Sequence, residues 1–294
     1  MKLATVQMVS GTSVAANLAT ARELLTQAAQ AGAELAVLPE YFCLLGHRDT
    51  DKLAVQEVFG AGPIQQFLAD TARSLGLWIV GGTLPICSDD ALPVPAVKDG
   101  PPSVERAGVP TPVGRRVFNS ALVFSPAGSC VQRYDKMHLF RFDNGRERYD
   151  ESRVLLPGNT PATFELPSRD GQQWKIGLSI CYDLRFPEIY RAYAAAGVEL
   201  LLVPSAFTHT TGMAHWEVLL RARAIENLAF VAASAQGGLH ENGRRTWGHS
   251  MLVDPWGVVV SERAQGIGFD IAELDKTRLA QLRSQLPALE HRVL

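Results

Sequence analysis

The stretch "AGAELAVLPEYF", residues 31–42, recurs as "AGVELLLVPSAF" at 196–207. Both read Ala-Gly, one residue, Glu-Leu, three apolar residues, Pro, two residues, Phe. In each, a glycine stops a helix and an unbroken apolar run follows, the pattern of a strand buried on both faces. A second pair keeps the order: "NSALVFSPAG" (119–128) and "HSMLVDPWG" (249–257) each run a strand into a Pro/Gly turn. The interval between the echoes is longer in the first half, and the excess falls on "SDDALPVPAVKDGPPSVERAGVPTPVGRR" at 88–116. Its prolines and glycines predict a surface insert.

Around these echoes each half reads strand, helix, strand, helix, strand, hairpin. In the first, "KLATVQM" precedes a helix over 16–31 with Leu18, Ala21, Leu24, Leu25 and Ala28 on one face. Pro63 opens a second helix, which buries Ile64, Phe67, Leu68 and Leu75 and stops at Gly76. In the second half "WKIGLSI", a helix from Pro187 to Ala196, "ELLLV", a helix near 213–228 and "AFVAASA" repeat that order. Such units cover one face of a sheet with helices, so two of them bury their bare faces against each other. The predicted fold is α/β, a four-layer αββα sandwich of two similar halves in a single domain over 1–294.

With 294 residues, 47% of them apolar, the chain can fill such a core. Lys and Arg total 28 against 30 Asp and Glu, a net charge of -2, and the charges form no basic block, which argues against nucleic acid as a partner. No segment approaches the roughly 18 consecutive apolar residues of a membrane span. A soluble, cytoplasmic protein is expected. Cys43, Cys87, Cys130 and Cys181 are far apart with no CxxC spacing, so neither a zinc site nor a disulfide framework is expected.

In sheets of this kind ligands bind outside the carboxyl ends of the strands. Glu40 follows "ELAVLP", Cys181 follows "KIGLSI", Ser205 follows "ELLLVP", and Lys136 follows the hairpin strand "SCVQRYD". A thiol nucleophile, a carboxylate base and an ammonium facing an oxyanion make a set for acyl transfer, with the backbone N–H of Tyr182 as a second oxyanion donor. On this reading Lys136 lowers the thiol pKa from ~8.5 while burial raises that of Glu40, and both shifts favour proton transfer. Plain structural roles stand beside these: Cys181 as a small buried hydrophobe, Glu40 as a cap, Lys136 as a solvated charge. Cys43, Cys87 and Cys130 keep the plain role.

"LPEYF", "YDKMHLF" and "SICYDLRFPE", in that order, resemble the Glu, Lys and Cys motifs of the nitrilase superfamily of carbon-nitrogen hydrolases. The resemblance covers most of the chain, and the αββα fold of that family agrees with the echoes. It implies Glu40 as general base, Lys136 as oxyanion partner and Cys181 as nucleophile. It also implies a second acid after the lysine, for which Glu151 in "YDES" is the best match and Glu147 the neighbour to be told apart. "PSAFTHTTGMAHWEVLLRARAIEN" followed by "GHSMLVDPWG" looks like the branch of deaminated glutathione amidases and omega-amidases. The implied substrate is a small amide of a 2-oxo acid, cleaved through a thioester with no metal or organic cofactor. Arg185 is then a candidate grip for the oxo-acid carboxylate, with pairing to Glu188 as the alternative. Phe207, Thr208 and Thr211 are candidate lining residues. Family members commonly dimerise through helices of this region, so a homodimer is expected.

His209 and His215 in "HTTGMAHWE" lack the HExxH spacing and give no metal site. Arg221, Arg223 and Glu226 are too many charges for an ordinary buried face and are expected to pair internally or at a subunit contact. Two rivals stay open. The same groups could serve an omega-amidase or a nitrile or carbamoyl hydrolase, or the fold could be a non-catalytic interaction module with an unreactive Cys181.

Overall fold

The computed structural model describes residues 1–88 and 116–293. The insert read at 88–116 lies, apart from its two end residues, outside the described residues. The first half runs β1 (Lys2–Gln7), α1 (Val14–Gln30), β2 (Leu35–Val37), α2 (Pro63–Leu75), β3 (Trp78–Val80), β4 (Leu84–Cys87), β5 (Val117–Phe124) and β6 (Cys130–Asp135). A small hairpin, β7 (Arg141–Asp143) and β8 (Arg148–Asp150), and the short β9 (Leu155–Leu156) follow. The second half runs β10 (Ala162–Pro167), β11 (Gln173–Leu178), α3 (Pro187–Ala195), β12 (Leu200–Leu202), α4 (His209–Asn227), β13 (Phe230–Ala233), β14 (Ser250–Val253) and β15 (Val259–Arg263). The chain closes with β16 (Gly268–Glu273) and α5 (Lys276–Gln285).

Helix ends follow local chemistry. Ser13 caps α1 by accepting from the Ala16 N–H, so that helix begins two residues before the expected start. Pro63 occupies the first turn of α2, and Gly76 ends it in the left-handed region. Thr208 caps α4 through the Thr211 N–H, which starts the helix at His209 rather than near 213.

The two sheets are copies in topology. The first contains the path β16-β1-β2-β3-β5, with β6 on the far edge of β5; the second is β10-β11-β12-β13-β14-β15. In each, the three central strands pair in parallel and the flanking ones antiparallel. The echoed pairs occupy matching places, β2 with β12 and β5 with β14. One arrangement was not expected from contiguous halves: β16, from the end of the chain, pairs with β1 from its beginning, Lys2 opposite Glu273.

Period-2 alternation assigns the faces. Leu3, Leu35, Val37, Val80 and Val123 of the first sheet join one apolar cluster with Ile176, Leu178, Leu202 and Phe230 of the second. Ala4, Val6, Ala36, Ile79 and Leu122 point the other way, into a cluster with Leu24, Leu25 and Ala28 of α1 and Ile64 and Leu68 of α2. Ile189 and Tyr193 of α3 and Trp216 and Leu220 of α4 cover the second sheet. The layers are helix, sheet, sheet, helix. Truncating a central leucine such as Leu35 to alanine costs about 2–5 kcal/mol.

Candidate active site

Glu40 lies just beyond β2 and Cys181 just beyond β11, both where the chain turns sharply. Tyr41 (φ 57°) and Cys181 (φ 50°) take left-handed conformations, a cost of about 1–3 kcal/mol each that the surrounding packing sustains. Gly82 allows the close approach at Glu40: a Cβ there would stand 2.0 Å from the Pro39 carbonyl oxygen. Lys136 follows β6 directly, and its N–H donates to the Asn119 carbonyl.

These turns bring three charges together out of water. The Lys136 ammonium donates to Glu40 Oε1 at 2.9 Å and to Glu151 at 2.8 and 3.0 Å. Glu40 also accepts from Asn119 Nδ2 and, across the sandwich, from the Ala206 N–H, each at 2.9 Å. Glu151 accepts from Tyr41 Oη and from the Phe140 N–H, each at 2.7 Å. Glu147 takes no part, its carboxylate accepting from Thr210 Oγ1. Of the two acids, geometry brings Glu151 to the lysine.

Burial pushes Glu40 above the ordinary glutamate range, Lys136 offsetting only part of it. Burial opposes ionisation of Glu151 as well, but Lys136 and Lys52 together hold its pKa below the usual value. Lys136 is desolvated, yet Glu151 and Glu40 keep it firmly protonated. The expectation of an acidic thiol is corrected. Burial first, and then the Glu40 charge, outweigh Lys136 and push the Cys181 thiol well above its ordinary value. The resting site therefore holds a neutral thiol in the same chamber as Glu40, and a thiolate must be made by proton transfer.

The cysteine turn is fixed from beneath by Asp183, which nothing in its local pattern singles out beyond its place in a charged run. Fully buried, Asp183 accepts from Tyr134 Oη at 2.6 Å and the Ile180 N–H at 2.9 Å through one oxygen. Through the other it meets the His138 N–H at 3.0 Å and His138 Nδ1 at 2.7 Å. Tyr134 and His138 flank Lys136, so one carboxylate ties the cysteine turn to the lysine strand. Buried Arg223 adds a second support, donating to the Leu184 carbonyl and pairing with Glu226 at 2.8 Å. Arg221 pairs with Glu217, so these charges are satisfied within the chain. In the first turn of a 3-10 segment, Cys181–Arg185, the Tyr182 N–H has no intrahelical acceptor.

Two chambers meet at Cys181. One is lined by Arg185, Tyr182, Phe207, Thr208 and Thr211, which brings every predicted lining residue to the thiol. The Arg185 guanidinium lies over the Phe207 ring (5.3 Å) and the Tyr182 ring (5.8 Å) and approaches His215 Nδ1 at 3.2 Å. No carboxylate pairs with it among the described residues, so Glu188 does not hold it. The other chamber contains Glu40 and Glu151 and is lined in addition by Asp49, Lys52, Tyr149 and Arg244. Lys52, in the 3-10 segment Asp49–Val55, and Arg244, in a loop, were not foreseen, because neither stretch carries a periodic signal. Ser205, considered at its strand end, bonds back to the Val203 carbonyl and stays out of the cleft. Among the described residues no cluster of His, Cys, Asp and Glu is arranged to hold a metal, and no helix is long and apolar enough to cross a membrane.

The family model for carbon-nitrogen hydrolases matches residues 2–284. A deaminated glutathione amidase of Synechocystis sp. is 38% identical over 292 residues, 99% of this chain and 97% of that protein. The omega-amidase NIT2 of Danio rerio is 34% identical over 292 residues, covering 99% and 94%. Among solved structures, Saccharomyces cerevisiae Nit3, a member of branch 10 of the nitrilase superfamily, is similar with a TM-score of 0.80 and 28% identity, over 100% of this chain and 97% of that one. The chain belongs to the carbon-nitrogen hydrolase family, enzymes that break carbon-nitrogen bonds.

Proposed function

We propose that this chain is an amidase of the deaminated glutathione type, releasing an amine from a 2-oxo acid amide through a Cys181 thioester. The observation that carries the reading is a buried carboxylate, Glu40, held by Lys136 at 2.9 Å and lining the same chamber as the Cys181 thiol. Glu40, its pKa raised, takes the thiol proton as sulfur attacks the amide carbon. Lys136 and the Tyr182 N–H face the oxyanion; the two oxygens of Glu151 can share one ammonium proton, which leaves another for the substrate. When the C–N bond breaks, Glu40 returns its proton to the departing nitrogen. Water then loses a proton to Glu40 and attacks the thioester, and the thiolate leaves and is reprotonated. Arg185, free of carboxylate partners among the described residues, grips the oxo-acid carboxylate bidentately.

The test compares wild type with Cys181→Ala and Glu40→Gln against a panel of amides. Both variants lose turnover, and Glu40→Gln accumulates an acyl adduct on Cys181 visible by mass spectrometry; full turnover by either variant rejects the reading. Release of cysteinylglycine from deaminated glutathione, measured against ammonia from 2-oxoglutaramate, separates the amidase from the omega-amidase. The reading includes a homodimer, supported by the exposed apolar residues Met213, Val218 and Ile225 on α4.

A further inference from the structure

The leaving amine has a side of the site to itself. Glu40, the group that returns a proton to nitrogen in the proposed mechanism, lines the Lys52 chamber and not the Arg185 chamber. With the acyl chain directed toward Arg185, the departing group extends past Glu40 toward Lys52 and Arg244.

The charges there are unevenly paired. Glu151 is committed to Lys136, Tyr41 and Phe140, and Asp150 accepts from the N–H and hydroxyl of Ser152. Asp49 lies 3.5 Å from Arg244, whose guanidinium rests over the Tyr149 ring at 4.9 Å. Lys52 has no carboxylate within ion-pair distance among the described residues. Its ammonium sits 4.5 Å from the centre of the Tyr41 ring, the same ring whose hydroxyl bonds Glu151. Burial lowers its pKa, the charges of Asp49 and Glu151 offset part of this, and that of Arg244 adds to it. A half-buried cation lining the cleft, with no carboxylate in direct contact among the described residues, has room for an anionic partner.

We propose that Lys52, backed by Arg244, forms a leaving-group subsite that takes a free carboxylate carried by the departing amine, the chemical class being a short peptide with an uncapped C-terminus. This rests on the proposed amidase function and narrows it, because ammonia as leaving group would leave the subsite unfilled.

The full chain is assayed on deaminated glutathione, on the same compound with its glycine carboxylate converted to a carboxamide, and on 2-oxoglutaramate. Wild type prefers the free acid to the carboxamide by about 10- to 100-fold in kcat/KM, the range of one charge-assisted contact. Lys52→Met removes that preference and Lys52→Arg retains most of it. Because the readout is a ratio, a general loss of folded enzyme does not imitate the effect. Equal cleavage of acid and carboxamide by wild type, or a preference unchanged in Lys52→Met, overturns the subsite while leaving the amidase reading standing. Cleavage of none of the three by wild type overturns both.

Discussion

The two halves have one strand order and unlike chemistry. At the echoed positions after β2 and β12, Pro39 is followed by Glu40 and Pro204 by Ser205. Glu40 collects Lys136, Asn119 and the Ala206 N–H, whereas the Ser205 hydroxyl turns back to the Val203 carbonyl. The first half supplies acid and lysine, and the second supplies the thiol. Neither half holds the set, and contacts between them are what align it: Glu40 on Ala206, Asp183 on Tyr134 and His138. A repeated scaffold therefore fixes where strand ends lie, and divergence at matching strand ends decides which end does chemistry.

The contrast breaks most visibly at its two matched positions. Glu40→Gln keeps the shape but removes the proposed base, and kcat falls by about 10²- to 10⁴-fold in steady-state assays. Lys136→Met strands two buried carboxylates, and denaturant unfolding shows a loss of about 3–5 kcal/mol, part of it regained on adding Glu151→Gln. Asp183→Asn leaves at least one buried donor unmet between the halves. Stability falls by about 1–3 kcal/mol and kcat falls with it, as the cysteine turn loosens from the lysine strand. Ser205→Ala, at the position equivalent to Glu40, changes kcat by less than about 2-fold and stability by under about 1.5 kcal/mol.

A pH profile sharpens the comparison of the two acids. In the proposed mechanism Glu40 is ionised to accept the thiol proton, and its pKa is raised by burial, so the acid limb of kcat/KM lies above the ordinary value of 4.5. The Glu151 charge adds to that rise, so Glu151→Gln moves the limb to lower pH. For stability the signs are opposite. Glu151, depressed in the folded state, contributes stability that is present above 4.5 and lost as pH falls through its folded pKa. Glu40, raised, contributes a cost that appears as pH climbs from 4.5 through its folded pKa.

The legible parts of this site were those set by local pattern. Apolar runs ending in Pro-Glu, Tyr-Asp-Lys and Ile-Cys placed Glu40, Lys136 and Cys181 at strand ends, and period-3.6 faces placed α1 and α2 behind the first sheet. Asp183, Asn119, Lys52 and Arg244 were illegible because a polar residue in a turn, a 3-10 segment or a strand has many possible partners, and only the crossing of distant segments selects one. The thiol was misjudged for a related reason. Convergence of strand ends suggested a lysine acting on a cysteine, but the sign was decided by desolvation and by Glu40, which depend on depth and distance.

By itself the sequence determined the strands and helices, the doubling of the pattern and the identity of the groups at the strand ends, because side-chain periodicity and turn chemistry act over a few residues. Tertiary structure alone decided that β16 returns to pair with β1, that Glu151 and not Glu147 meets Lys136, and that Arg185 and Lys52 stand on opposite sides of one thiol. Those outcomes turn on which distant surfaces bury each other, and on the electrostatics of a site closed only when both sheets are in place.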